Sequence, residues 1–281
     1  WSQYAYSFYA YDAESLCAAL THIQSLHRLH ANATRLLAYP QEWIAAARGS
    51  STAPLQDDIA RLLRRAEREY RATLQPVPTS SLFGLEALSA EYGKVLMFNQ
   101  TQYTRIVYVD TTASTILRPM DEMFHFSDAA VAMPRAYWKD DNSLSDLMIL
   151  ANPDTLTFER LVVRFFGDQS DVQQEVKLSF LATLNILFDE ATFLPHRNYL
   201  LRASEFSKRE GEHMGYLGSY EEAWDAGQVI EDARFVVFDD ALQHMPDCDG
   251  NIGQARTLDG VATCAEREIW KWLVRDKQDR R

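Results

Sequence analysis

The chain has 281 residues, a formal net charge of −12 and 47% hydrophobic residues. This length suits one large α/β domain or two small ones, and it is ample for a substantial hydrophobic core. The acidic balance argues against a nucleic-acid surface, because such a surface needs a basic patch. No apolar run is long enough to span a bilayer, so we expect membrane attachment only through an anchor that this chain does not contain.

The first predicted elements form half of a βαβ unit. Aromatic residues alternate along Gln3–Ala10, which is typical of a strand, and Asp12 then suits the N-cap of a helix. The turn between such a strand and such a helix commonly holds a nucleotide. The alternative is a capped helix with no binding role.

The following segments continue an alternation of strands and helices. The sequence predicts a second strand at Arg35–Ala38, a helix from Asp57 to Leu74 and another helix over Glu91–Gln102. The helical stripe of apolar residues between Asp57 and Leu74 indicates a face that packs in the core.

A strand followed by polar residues occupies the middle of the chain. Ile106–Val109 is a run of β-favouring residues, typical of a strand that is buried on both faces. Asp110, Thr111 and Thr112 follow directly. Ligands bind outside the carboxyl ends of strands in open α/β sheets, so this segment is a candidate site. The alternative is that Asp110 only starts a turn.

Three cysteines are too few for a disulfide scaffold. Cys17 lies in an apolar helical pattern and is expected to be a buried thiol. Cys248 and Cys264 are predicted to pair, and such a disulfide implies a secretory compartment. Two Asn-x-Thr sequons, at Asn32 and Asn99, are compatible with that compartment.

Several long sequence words carry a family resemblance. They include FNQTQYTRIVYVD (Phe98–Asp110), MPRAYW (Met133–Trp138) and LPHRNYLL (Leu194–Leu201), and the pattern runs in order from about Tyr4 to about Pro246. In these words the chain resembles the fungal family-8 glycosyltransferases, the group that includes glycogenin. The resemblance implies a GT-A fold, with a mixed and mostly parallel sheet flanked by helices, and a UDP-sugar donor.

The same resemblance implies one domain over residues 1–281, with a nucleotide half at about 1–117, an acceptor half at about 118–246 and a C-terminal extension at 247–281. The residues expected to bind the nucleotide are Tyr9, Ala10, Tyr11, Asp12, Lys94, Asp110, Thr111 and Thr112. The residues expected to line the sugar or acceptor pocket are Arg135, Ser145, Asp146, Asn185 and His196. Lys94 matches a lysine that reaches towards the donor phosphates, and the alternative for it is a solvent-facing helical lysine.

The chain departs from the family pattern at positions that carry chemistry. The pattern has Asp-x-Asp after the central strand and a metal-binding histidine in a later strand, where this chain has Thr112 and Val237. It has an aspartate beside the reacting sugar, where this chain has Phe180, and a glutamate two residues later, where this chain has Ala182. Asp110 is therefore the one expected ligand that remains for Mn²⁺ or Mg²⁺, and no catalytic residue is assigned.

These departures favour a pseudo-glycosyltransferase that binds UDP or a UDP-sugar and acts as the partner of an active glycosyltransferase paralogue or as a homodimer. One alternative is an active hexosyl or N-acetylhexosaminyl transferase whose metal site is absent or relocated to Asp239, Asp240 or His244. Another is a repurposed pocket, lined by Phe180, Leu147 and Val237, that binds an apolar molecule or catalyses other chemistry. The resemblance implies the Golgi lumen of the secretory pathway, with a cytoplasmic location as the alternative.

Overall fold

The computed structural model describes residues 1–44, 54–78, 89–126, 129–139, 143–166, 180–188, 192–239, 246, 256–258 and 261–279. The chain divides into two compact units. The first comprises Trp1–Thr112, Pro119–Met133 and Ser145–Phe193, and the second comprises Ala113–Arg118, Pro134–Leu144 and Leu194–Arg281.

Strands and helices alternate through the described residues. The strands are β1 (Tyr4–Tyr9), β2 (Thr34–Pro40), β3 (Thr73–Val77), β4 (Arg105–Val109), β5 (Ser114–Ile116), β6 (Val131–Pro134), β7 (Met148–Ala151), β8 (Thr192–Leu194), β9 (Leu201–Arg202), β10 (Phe235–Val237), β11 (Arg256–Leu258) and β12 (Val261–Thr263). The α-helices are α1 (Ala13–Arg28), α2 (Pro54–Arg68), α3 (Ala90–Leu96), α4 (Thr155–Phe166), α5 (Phe180–Leu187), α6 (His196–Tyr199), α7 (Met214–Leu217), α8 (Ala226–Asp232) and α9 (Ala265–Asp279). Short 3-10 helices lie at Gln41–Trp43, Met97–Asn99, Asp121–His125 and Ala203–Ser207.

The first unit is built on a seven-stranded sheet with the order β3-β2-β1-β4-β7-β6-β8. Strands β3, β2, β1 and β4 run parallel to one another, and β7 pairs antiparallel with both β4 and β6. Helices flank this sheet, among them α1, which contacts both β1 and β2. The expected α/β fold with a mixed, mostly parallel sheet is confirmed.

Strand β4 lies at the centre of this sheet, and all five of its residues are buried. Strand β1 pairs with one edge of β4, with Ser7 opposite Tyr108, and β7 pairs with the other edge, with Met148 opposite Val109. The neighbouring strands therefore satisfy its backbone hydrogen bonds, which lets a continuous apolar run be buried here. The predicted central strand is confirmed, and it delivers Asp110 to one edge of the sheet.

Helix α1 begins at the predicted N-cap. The Asp12 carboxylate accepts a hydrogen bond from the backbone N–H of Ser15 at 2.7 Å, and the Ser15 hydroxyl oxygen accepts one from the N–H of Asp12 at 2.9 Å. This reciprocal capping box is worth about 1 kcal/mol of helix stability. It also fixes the backbone of the turn that follows β1.

Helix α3 packs closely on β1 because residue 93 has no side chain. A Cβ atom at Gly93 would lie 2.8 Å from the Cβ of Tyr9 and 3.4 Å from the ring of Tyr108. A side chain here would push the helix away from the sheet, since the interior is already close-packed. The glycine therefore holds the next residue, Lys94, close to the sheet.

The predicted helix over residues 57–74 is wrong at its C-terminal end. Helix α2 ends at Arg68, Arg71 has a φ of 53°, and Thr73–Val77 forms β3 beside β2. A left-handed residue does not continue a right-handed helix. The edge of β2 also offers backbone hydrogen-bond partners to the next segment, which outweigh the helical periodicity of Leu74.

Two other local expectations differ from the structure. The helix predicted over Glu91–Gln102 is shorter, because α3 gives way after Leu96 to the 3-10 turn that ends at Asn99. Cys17 is a free thiol, as predicted, but it is exposed on α1 rather than buried.

Cys264 is disulfide-bonded, as predicted, and its predicted partner Cys248 lies outside the described residues.

The second unit contains the three-stranded sheet β5-β10-β9, in which β10 pairs antiparallel with β5 and parallel with β9. Its hydrophobic core draws on this sheet and on the helices around it. The buried members of that core are Tyr137, Leu201, Ala203, Phe206, Tyr216, Ala226, Val229, Ala233, Val236, Phe238 and Leu273. Among the helices that the structure describes, none combines the length and the apolar character needed to cross a membrane.

Candidate functional site

The carboxyl ends of β1 and β4 bring two predicted binding turns together. The two strands are parallel neighbours in register, so Tyr9–Asp12 and Asp110–Thr112 leave the sheet side by side. Ala10 is fully buried, and its N–H donates to the carbonyl of Ala38 at 3.0 Å. The predicted closeness of the two turns is confirmed.

Asp110 combines a structural role with the chemistry of a binding group. It is 7% exposed, and its Oδ1 accepts a hydrogen bond from the N–H of Thr112 at 2.7 Å, which forms the turn expected under the simpler interpretation. Burial raises the pKa of the Asp110 carboxyl above its ordinary value, while the Thr112 N–H and the Lys94 ammonium act in the opposite direction. Thr112 itself is exposed, and Thr111 is half-buried.

Lys94 is a buried cation beside this turn. Its Nζ lies 2.7 Å from the Oδ2 of Asp146, and the lysine side chain is 7% exposed against 28% for the aspartate. Asp146 reaches the site because the segment before β7 lies beside the end of β4, where Leu147 O accepts from the N–H of Asp110 at 2.8 Å. The alternative of a solvent-facing lysine is wrong, since helix α3 turns this side chain into the unit.

The surroundings of Lys94 are more acidic than basic. The buried Tyr108 has its pKa raised well above its ordinary value, first by burial and then by the carboxylates of Asp110, Asp146 and Glu91. Among the described groups that act on Tyr108 and Asp110, these three carboxylates accompany the one ammonium of Lys94, so the local charge balance is negative. An anion at this edge of the sheet would meet both an attractive cation and repulsive acids.

Aromatic side chains border the same turn. The rings of Tyr9 and Tyr11 lie 6.1 Å apart, and Tyr92 meets Tyr9 edge-on at 5.5 Å. Tyr9 and Tyr92 are buried, whereas Tyr11 is half-buried. Tyr11 therefore keeps a ring surface that a planar ligand can contact.

The positions expected near the reacting sugar are apolar or partly outside the description. Phe180 is 3% exposed, with its ring centroid 5.8 Å from the Nζ of Lys94, and Ala182 is half-buried on the same helix α5. Ser145 is buried, and its Oγ accepts from the N–H of Leu147 at 3.4 Å. Asn185 lies on α5, with a side chain outside the described residues.

The described residues do not fit a conventional divalent-metal site. Across the part of the chain that the structure describes, no group of three or more His, Cys, Asp or Glu side chains could hold a metal ion. Thr112 offers a neutral hydroxyl and Val237 offers no donor atom. A hard cation prefers several oxygen ligands in fixed geometry, which Asp110 alone does not supply.

The residues considered for a relocated metal site divide into two groups. Asp239 is already engaged in the second unit, where its carboxylate accepts from the N–H of Ser204 at 3.2 Å and pairs with Arg202 at 2.8 Å. It would have to give up these partners in order to bind a metal. Asp240 and His244 lie outside the described residues.

Two predicted pocket residues belong to the second unit. His196 donates from Nε2 to the carbonyl of Tyr216 at 2.8 Å, and burial lowers the pKa of its imidazole. This bond gives His196 a structural role at the start of α6. The Nε of Arg135 is buried and has no hydrogen-bond partner among the described residues, so Arg135 retains donor capacity.

Sequence reasoning missed the pairing of Lys94 with Asp146. The two residues are 52 positions apart, and no local pattern connects them. It also missed Tyr92, whose ring borders the turn from helix α3. Gly93 was the available signal, because a glycine within a helix indicates that the helix backbone approaches a neighbouring element closely. Its neighbours Tyr92 and Lys94 are then expected to lie near the sheet.

Comparison with known proteins places the chain in a family. The chain is 32% identical to glucose N-acetyltransferase 1 of Aspergillus fumigatus over 306 residues, which covers all of this chain and 77% of that protein. It belongs to the glucose N-acetyltransferase 1 family. A second relative, glucose N-acetyltransferase 1 of Gibberella zeae, is 34% identical over 299 residues, and the alignment spans 99% of this chain but 62% of that protein. No protein-family model matches the chain.

Solved structures identify the fold. The apo form of the glycosyltransferase GlyE from Streptococcus pneumoniae aligns with a TM-score of 0.52 and 14% identity, covering 99% of this chain and 63% of that one. The apo structure of the bifunctional glycosyltransferase WbbM aligns with a TM-score of 0.51 and 11% identity, covering 84% of this chain and 45% of that one. This member of the glucose N-acetyltransferase 1 family therefore has a GT-A glycosyltransferase fold. The finer assignment to family 8 stays a prediction.

Proposed function

We propose that the chain binds UDP or a UDP-sugar at the carboxyl ends of β1 and β4, and that its metal-dependent transfer is impaired. The observation that carries this proposal is the buried Lys94 ammonium, held by Asp146 beside a turn in which Asp110 has no second acidic neighbour at residue 112. The fold supports a nucleotide at this edge of the sheet, where ligands bind in open α/β proteins.

The proposed contacts follow from the side chains at the two turns. Tyr11 offers a ring face to the uracil, since aromatic side chains stack on bases. Lys94 offers a point charge to the diphosphate. Because acidic groups surround Lys94, we expect the affinity for UDP to be modest.

Loss of transfer is supported by residue types near the site. Phe180 provides neither a proton acceptor nor a hydrogen-bond donor for a sugar hydroxyl. We therefore propose that the chain acts as a non-catalytic partner of an active glycosyltransferase relative, or within a homodimer. The Cys264 disulfide supports the proposed location in the secretory pathway, since such bonds persist in oxidising compartments.

A second candidate is active transfer of a hexosyl or N-acetylhexosaminyl group without a conventional metal site. The specific observation in its favour is that Lys94 already places one fixed cation beside the proposed diphosphate position. The fungal relatives are named glucose N-acetyltransferase 1, and a transferase name is compatible with retained activity. The third possibility, an apolar ligand, receives less support because Phe180 is 3% exposed and offers no open apolar wall.

Calorimetric titration with UDP and UDP-sugars, with and without Mn²⁺, tests the proposal. We expect UDP to bind, Mn²⁺ to change its Kd by less than about tenfold, equal to about 1.4 kcal/mol, and turnover to be undetectable. Thr112→Asp should increase the effect of Mn²⁺ by adding a second carboxylate to the turn, and Thr112→Asn is its neutral control. Strong Mn²⁺-dependent transfer by the unmodified chain would refute the proposal, and transfer in the presence of a chelator would favour the second candidate.

A further inference from the structure

Both sequon asparagines of the first unit, Asn32 and Asn99, are exposed, but their hydrogen bonds differ. In the sequon Asn99-Gln100-Thr101, both Asn99 and Thr101 are exposed, while Gln100 between them is 1% exposed. Gln100 anchors the turn through its Nε2, which donates to the carbonyl of Leu96 at 3.3 Å, and through its N–H, which donates to Met97 O at 3.3 Å. The acceptor amide and the hydroxyl of this sequon therefore lie on the outer side of an anchored turn.

The sequon Asn32-Ala33-Thr34 is engaged by the fold at both ends. Asn32 donates to the Oδ2 of Asp121 from its backbone N–H at 2.7 Å and from its side-chain Nδ2 at 2.9 Å. Asp121 is 8% exposed and also accepts from the hydroxyl of Tyr6 at 2.9 Å. At the other end, Thr34 is the first residue of β2, and its side chain hydrogen-bonds that of Tyr103.

We propose that Asn99 is an N-glycosylation site and that Asn32 is a structural asparagine that carries no glycan. A sugar on the Nδ2 of Asn32 would crowd a buried carboxylate that holds strand β1, whereas a sugar on Asn99 leaves the hydrogen bonds of its turn in place. The proposal requires a luminal location, which the disulfide at Cys264 supports independently of any nucleotide site.

The reaction needs one co-reactant, an oligosaccharide linked to a polyprenyl diphosphate. The amide nitrogen of Asn99 forms a bond to the anomeric carbon of the oligosaccharide, and the bond from that carbon to the diphosphate oxygen breaks. The polyprenyl diphosphate leaves with the electron pair, and the amide nitrogen loses one proton. The product is a bulky, solubilising surface group.

The test is to direct the full chain into the endoplasmic reticulum of a yeast host with a cleavable signal, and to measure the mass shift on endoglycosidase treatment. We expect the unmodified chain to carry one glycan. Asn99→Gln and Thr101→Ala should both abolish it, the second without altering the acceptor asparagine, whereas Thr101→Ser should retain it. Peptide mass spectrometry would locate the glycan at residue 99.

Variants of the other sequon complete the test. Asn32→Gln removes the acceptor and the side-chain bond to Asp121, while the backbone N–H bond remains. Thr34→Ala is used beside it to disrupt the sequon while leaving Asn32 in place. Both variants should still carry one glycan. An unglycosylated wild-type chain, a second glycan, or loss of the glycan in Thr34→Ala would overturn the proposal.

Discussion

Each unit contains an ion pair in which one member is buried and the other is partly exposed, and the two pairs differ in which charge is buried. In the first unit, the side chain of Asp146 is 28% exposed, whereas the side chain of Lys94 is 7% exposed. In the second unit, Glu205 is 1% exposed and is bound by Lys208 at 2.7 Å and by the Nδ1 of His213 at 3.3 Å. The His213 ring is in turn stacked on Trp224 at 3.8 Å.

This difference in exposure separates a pair that can contact a ligand, Lys94 and Asp146, from a cluster that supports the fold, Glu205 with Lys208 and His213. The carboxylate of Glu205 is 1% exposed and already has two partners, Lys208 and His213, so it does not face a ligand. The carboxylate of Asp146 still faces solvent, and a phosphate could exchange with it for the ammonium of Lys94. The first cluster is therefore the candidate site, and the second is a structural core.

Substitution in the closed cluster should have the largest effect. Glu205→Gln removes the charge between Lys208 and His213, and breaking a buried pair in this way costs about 3 kcal/mol. Denaturant unfolding should show this loss. The exposed pair of Arg197 and Glu222 provides the control, since Glu222→Gln should have a much smaller effect on the free energy of unfolding. Equal costs for the two variants would contradict the comparison.

Substitution of the open cation should mainly affect binding. Lys94→Met keeps the length of the side chain and removes its charge, so UDP affinity should fall by about tenfold or more, which corresponds to about 1.4 kcal/mol or more. Calorimetry measures the change. Lys271→Met, which breaks an exposed pair with Glu268, should leave the UDP affinity unchanged. Unaltered UDP binding by Lys94→Met would show that the ammonium does not face the nucleotide.

Substitution of Asp146 sharpens the account of the open pair. Asp146→Asn removes one repulsive carboxylate and frees Lys94, so we expect UDP to bind about threefold tighter, a change of less than about 1 kcal/mol. The gain should shrink at high salt because charges are screened. Glu67→Gln, at an exposed acid on α2, is the control for the general reduction in charge. A marked loss of affinity would mean that Asp146 is needed to position Lys94.

The smallest predicted effect concerns pH and the second unit. Burial lowers the pKa of His196 in the folded state, with Arg197 and Arg135 acting in the same direction and the Tyr216 carbonyl and Glu205 opposing it. The unfolded chain therefore binds the proton more readily, and the free energy of unfolding should decrease as pH falls below about 6.5. His196→Gln should weaken this dependence in thermal unfolding between pH 7 and pH 5. An unchanged pH profile would argue against His196 as its source.

Local sequence signals were sufficient for the elements that form the site. The alternating aromatics of β1, the N-cap at Asp12 and the apolar run of β4 each act over a few residues, so their structures follow from short-range chemistry. The same local reasoning failed at Leu74. There the left-handed backbone of Arg71 ends the helical course of the chain, and the edge of β2 pairs with the following residues as a strand.

By itself the sequence determined the strand, turn and helix that begin the chain, the central strand and the end of that strand at Asp110. Only the tertiary structure decided that Lys94 is buried, that Asp146 is its partner and that Cys17 is exposed. The physical reason is the range of the interactions involved. A cap or a strand run depends on neighbours along the chain, whereas burial and ion pairing depend on residues that the sheet brings together from 52 positions away.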